Sequence, residues 1–93
     1  MRRRHRRLFA LSDEIARIDE TLAQARAELG VLGHLRDDAV RDAAVGGPED
    51  REEMVRSERE LARLEDVIIE LSRSRVRVEE ERRRQTQRLG DAD

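Results

Sequence analysis

The sequence predicts an all-α protein, an antiparallel two-helix coiled-coil hairpin that pairs into a four-helix dimer. Three observations carry this expectation. Apolar residues in the first half recur at alternating spacings of three and four, the second half repeats the pattern, and a single Gly-Gly-Pro stands between the two. The chain has 93 residues, 45% of them charged, and Phe9 as its one aromatic. A chain of this length holds one domain, so residues 1–93 read as a single helical hairpin with little material for a compact core.

Helix one is expected from about residue 8 to 45. Its seam is Leu8, Leu11, Ile15, Ile18, Leu22, Ala25, Leu29 and Leu32, continuing through Arg36, Ala39 and Ala43. Gly30 and Gly33 fall inside it, each costing about 1 kcal/mol against alanine, so weakness or a bend is expected there. The turn is expected at about residues 46–48, within Val45-Gly46-Gly47-Pro48-Glu49-Asp50. Glycine suits the end of the preceding helix and proline the first turn of the next. Helix two is expected from about 49 to 89, with Met54, Ser57, Leu61, Leu64, Ile68, Leu71, Arg75, Val78, Arg82, Gln85 and Leu89 as its seam. At 1.5 Å per residue each helix would be about 55–60 Å long. Residues 1 to about 6 and 91–93 are expected to fray.

A short connection makes the two helices antiparallel neighbours. With the turn near residue 47, facing residues should have numbers summing to about 94. Leu22 then meets Leu71, Ile15 meets Val78, and Leu32 meets Leu61 or Leu64.

One seam is a thin core for a chain of this size, and oligomerisation is a common remedy. A second stripe supports it. Phe9, Ala16, Ala23 and Gly30 on helix one, and Val55, Ala62, Ile69 and Val76 on helix two, recur every seventh residue beside the seam. Small apolar residues are common on surfaces, but this regularity marks a second packing surface. The partner-binding residues are therefore expected to be Val55, Ala62, Ile69 and Val76, joined at the open end by Leu8, Leu11, Arg75 and Arg82. There the seam turns polar, with Arg75, Arg82 and Gln85 opposite leucines and isoleucines. Arg75 should reach Glu14 or Glu81, and the poorly covered end either sets partner choice or is completed by another protein or a second copy.

The formal net charge of −2 hides an uneven layout. Residues 36–58 around the turn hold four arginines against eight acids, whereas residues 1–8 hold five arginines and 82–89 four more. All 20 basic residues are arginine. The basic end lacks aromatic side chains for base stacking, which argues against nucleic acid as the partner.

Several function classes are excluded by what is missing. No cysteine means no disulfide scaffold, no thiolate metal site and no cysteine nucleophile, and fits a cytoplasmic location. No membrane span or signal-peptide core is recognisable. His5 and His34 are far apart in sequence, no glycine-rich phosphate loop follows a strand, and no paired-histidine metal spacing occurs, so no enzyme, metal site or obligatory cofactor is expected. Ala10 to Leu22 and Pro48 to Glu53 resemble the helix openings of the small all-helical chorismate mutases. The positions matching that family's substrate-binding arginines and lysine hold Ser12, Leu29 and Val40, so the resemblance does not carry catalysis.

One ligand motif stands out. Glu70, Ser74 and Arg77, at offsets of zero, four and seven, share one face of helix two and offer an acceptor, a hydroxyl and a guanidinium. Such groups suit a guanine edge and a phosphate. The motif resembles the start of the E-x3-S-x2-R-x3-Q-x3-D signature of actinobacterial helical-hairpin anti-sigma factors that respond to cyclic di-GMP. Here Glu81 and Gln85 stand at the fourth and fifth positions, and helix one has no second copy. The resemblance implies a non-enzymatic regulatory module that sequesters a transcription factor, a sigma factor, under the gating of a cyclic dinucleotide. Since one motif cannot surround such a ligand, two chains would each supply one helix face. Two other readings remain open: a structural coiled-coil scaffold or oligomerisation subunit, and an RNA-polymerase-binding coiled-coil effector with Asp37, Asp38 and Asp42 as an acidic tip.

Overall fold

The computed structural model describes residues 3–91, which form two helices. Helix α1 spans Arg3–Val45 and helix α2 spans Pro48–Asp91, giving an all-α helical hairpin without strands among the described residues. Of the residues expected to fray, Met1, Arg2, Ala92 and Asp93 lie outside the described residues. Arg3 to Arg7 are helical, so α1 begins five residues before its expected start. Arginine is a good helix former, and Arg4 donates to the backbone carbonyl of Arg88, 3.5 Å away.

Only Gly46 and Gly47 separate the helices, and Pro48 is already helical. Its missing N–H falls where a helix leaves its donors unpaired, and Glu49 and Asp50 follow in the first turn, where carboxylates complement the helix dipole. No glycine adopts a positive φ. Gly46 continues the helical pattern, donating to the carbonyl of Asp42 at 2.8 Å, and its value lies in the missing side chain. A Cβ there would stand 2.8 Å from that same carbonyl and collide with the Asp50 carboxyl group. Gly30 and Gly33 do not break α1, which is helical throughout.

The hairpin consists of two compact units. One joins residues up to Leu22 with those from Glu70 onward, and the other comprises Ala23–Ile69 with the turn. In the first, Leu11, Ile15 and Leu22 are buried, with Leu8, Ile18, Leu71 and Val78 half-buried around them. In the second, Ala25, Ala39 and Leu61 are buried and Leu29, Leu32, Leu64 and Ile68 half-buried. Every residue of both expected seams is buried or half-buried, the polar ones included. A pair of helices has only one layer of contact to offer, which is why so many seam residues stay partly wet.

Candidate functional site

The polar end of the seam, in the first unit, is organised around Arg75. Its Nε donates to Asp19 Oδ1 at 2.5 Å, its Nη2 to Asp19 Oδ2 at 3.2 Å and its Nη1 to Glu79 Oε2 at 2.6 Å. The hydrogen bond that Arg75 donates to Asp19, followed by that residue's negative charge, raises the Arg75 pKa above its ordinary value. The expected partners, Glu14 and Glu81, are not the ones it takes. Residues 19 and 75 sum to 94, so Asp19 faces Arg75 squarely, and Glu79 lies one turn along α2. Glu81 instead accepts from Gln85 at 2.9 Å and from Arg84 at 2.8 and 3.1 Å. These partners, Gln85 first, hold its carboxyl below the ordinary value of 4.5.

The open end is better covered than the residue types suggest. Leu11 is 2% exposed, the most buried side chain of the core, so it serves the hairpin and is not available as a partner-binding residue. Arginine side chains cover apolar neighbours with their aliphatic stems while the guanidinium stays in water, and half-buried Arg75 and Arg82 occupy the opposing seam positions. No buried side-chain polar atom is left without a partner among the described residues. Leu8 is half-buried beside an open recess of about 630 Å³, whose walls include Phe9, Ser12, Arg82, Arg83 and Thr86.

The second stripe stays uncovered. In the first unit Phe9 is 60% exposed and Val76 54%; in the second, Ile69 is 47% exposed, Val55 39%, and Ala62 is exposed too. Val31, Leu35, Val40, Val45 and Val67 are also exposed but were not part of that regular stripe. The heptad pattern reveals the stripe because it repeats. It passes over these five because they fall at scattered heptad positions.

Glu70, Ser74 and Arg77 all belong to the first unit and share an outward face of α2. Glu70 is an exposed carboxylate paired with Arg73 at 3.0 Å, Ser74 is half-buried, and Arg77 is exposed and makes no ion pair among the described residues. Val76 and Arg77 are successive residues, about 100° apart around the helix, so the motif and the apolar stripe occupy adjoining surfaces. At the turn, Asp37 pairs with Arg36 and Asp38 with Arg41, while Asp42 forms no ion pair among the described residues. Among those residues no group of three or more histidine or carboxylate side chains is placed to hold a metal ion, and no helix is long and apolar enough to cross a membrane. No known protein family, characterised protein or solved structure matches the chain.

Proposed function

We propose that this chain is a non-enzymatic regulatory protein-binding module of the anti-sigma type, which holds a transcription factor against the uncovered flank of its hairpin. The observation that carries this reading is the exposure of Phe9, Val55, Ile69 and Val76 on surfaces the hairpin seam does not use. Large apolar side chains are costly to leave in water at about 25 cal/mol per Å², and their recurrence every seventh residue along one helix face supports reading that face as a contact surface. Free of its partner, the flank is covered by a second copy, making a homodimer.

Sedimentation and affinity capture test the reading together. Wild-type protein should sediment as a dimer, and Ile69→Asp should shift it toward monomer and lower its melting temperature. From native cell extract, wild-type protein should retain a sigma factor that Ile69→Asp loses. An unchanged mass counts against the flank, whereas capture of the chain alone favours the structural-scaffold reading.

A second reading concerns regulation. An Arg77 guanidinium that forms no ion pair among the described residues, on one helix face with the Ser74 hydroxyl and a Glu70 carboxylate paired with Arg73, supports a cyclic dinucleotide such as cyclic di-GMP as the gating ligand. Arg77 would hold a phosphate or guanine edge, Glu70 would accept from guanine N–H groups, and Ser74 would add a hydroxyl.

A further inference from the structure

We infer that the open recess of the first unit receives an acidic amphipathic helix of the partner protein. The inference deepens the partner binding proposed above and rests on it. The recess has a volume of about 630 Å³ and is walled by both helices. On α1 it runs from His5 to Ser12, about 10 Å or two turns along one helix face. Leu8 and Phe9 give that wall its apolar surface, Leu8 half-buried and Phe9 exposed. On α2 the wall includes Arg82 and Arg83.

The openness of the recess decides the kind of occupant. Small ligands are enclosed over about 70–90% of their surface, whereas a groove between two packed helices suits a third helix that lays in apolar side chains one turn apart. Charge decides the character of that helix. Arg83 forms no ion pair among the described residues, and Arg82 reaches Glu79 only at 3.8 Å. No carboxylate lines the recess, and the acids of this unit that form no ion pair among the described residues, Asp13, Glu14, Glu20, Glu80 and Asp91, lie outside its walls. Two guanidiniums thus stand beside an apolar wall without a carboxylate of their own in the groove. Glutamates or aspartates flanking the apolar side chains of an incoming helix supply it, and a guanidinium can meet a carboxylate through two hydrogen bonds. A nucleic-acid backbone would satisfy the arginines but bring no apolar group to cover Leu8.

The chain has no tryptophan or tyrosine, so Phe9→Trp places a single fluorophore in the recess. The variant is made in the full chain, checked for helicity by circular dichroism, and titrated with an alanine-rich peptide of about 15 residues that carries leucines one turn apart with glutamates beside them. Anisotropy of the same peptide, labelled with fluorescein, repeats the measurement on the wild-type chain. The acidic peptide should move the tryptophan emission to the blue. Arg83→Gln, a change at an exposed position, should weaken binding by about fivefold, the upper end for one exposed ion pair. Glutamine in place of every peptide glutamate should weaken it by about tenfold or more, and alanine in place of the leucines should remove the shift. No binding of the acidic peptide, equal binding of the glutamine peptide, or tighter binding of an oligothymidylate of about 15 nucleotides each overturns the acidic helix. The flank reading still stands in those cases if capture from extract is lost in Ile69→Asp, whereas capture unaffected by Ile69→Asp overturns both.

Discussion

Arg75 and Asp19 meet across the two helices as a fork, with Nε and Nη2 of the guanidinium at 2.5 and 3.2 Å from the two carboxylate oxygens. The third guanidinium nitrogen is taken by Glu79 on the same helix. A charged residue in a coiled-coil seam lowers stability and in return fixes register. The sequence shows why this one can do so. Slipping the helices by one heptad would bring Arg75 opposite Ser12 or Arg26, and neither offers a carboxylate to pair with both nitrogens of the guanidinium. Only the observed register offers Asp19.

Removing the acceptor should therefore hurt more than removing the charge. Asp19→Asn leaves a half-buried guanidinium without its facing carboxylate and is expected to lower the melting temperature. Arg75→Met, which keeps an apolar stem in the seam and takes away the charge, should lower it less or raise it. Thermal melts followed by circular dichroism decide the order, and a larger loss for Arg75→Met would show that the pair stabilises outright.

Acid should expose a second contribution nearby. The Glu81 carboxyl is held below its ordinary value of 4.5, chiefly by the Gln85 amide and then by Arg84. A carboxyl with a lowered folded pKa stabilises the fold above its unfolded pKa, and that contribution is lost as pH falls through the folded value. The melting temperature of wild-type protein should drop more steeply below pH 4.5 than that of Glu81→Gln. Parallel curves for the two proteins would show that the Gln85 and Arg84 contacts add nothing.

The seam was legible because helical geometry repeats, and a pattern sustained over many heptads leaves one solution for each helix. The sum of 94 follows from the same regularity and already points to Asp19 as the residue facing Arg75. Glu14 and Glu81 are misleading choices: Glu14 sits more than a turn away from that facing position. Glu81 lies at an offset of six from Arg75, too far round the helix for the favoured three- and four-residue pairings. The cover over Leu11 was not legible from residue class, because an arginine counts as charge in a pattern but packs as a hydrocarbon stem. The turn was readable from Gly-Gly-Pro, yet the reason for Gly46 was not. That reason is the nearness of the Asp42 carbonyl and the Asp50 carboxyl, a property of the closed turn.

Two glycine-to-alanine changes should act in opposite directions. At Gly30 an added Cβ meets nothing within 4 Å inside a continuous helix, so Gly30→Ala is expected to stabilise by about 1 kcal/mol through helix propensity. At Gly46 the added Cβ would press on the Asp42 carbonyl at 2.8 Å, a backbone atom that cannot swing aside, as well as on the Asp50 side chain. Gly46→Ala should destabilise, opening the turn and loosening the start of α2. Urea unfolding of the two variants beside wild type measures both effects, and a stabilised Gly46→Ala would mean that the turn relaxes without cost.

The last prediction concerns the nucleotide. Cyclic di-GMP carries two phosphates and two guanine edges, and one outward face with Glu70, Ser74 and Arg77 can engage only part of it. Two chains must then contribute, and binding and dimerisation are linked: nucleotide should tighten the dimer, and dilution to monomer should weaken nucleotide binding. Arg77 is the exposed cation of the motif, so Arg77→Ala should abolish the heat of binding in calorimetry while leaving the helical content unchanged. Glu81 lies four residues beyond Arg77, on the same side of α2, and puts negative charge near incoming phosphates. Glu81→Gln should therefore bind more tightly than wild type. An absence of heat at ~100 µM nucleotide, well above the micromolar range of a useful sensor, for both wild type and Glu81→Gln would remove the nucleotide and leave the protein-binding flank as the functional surface.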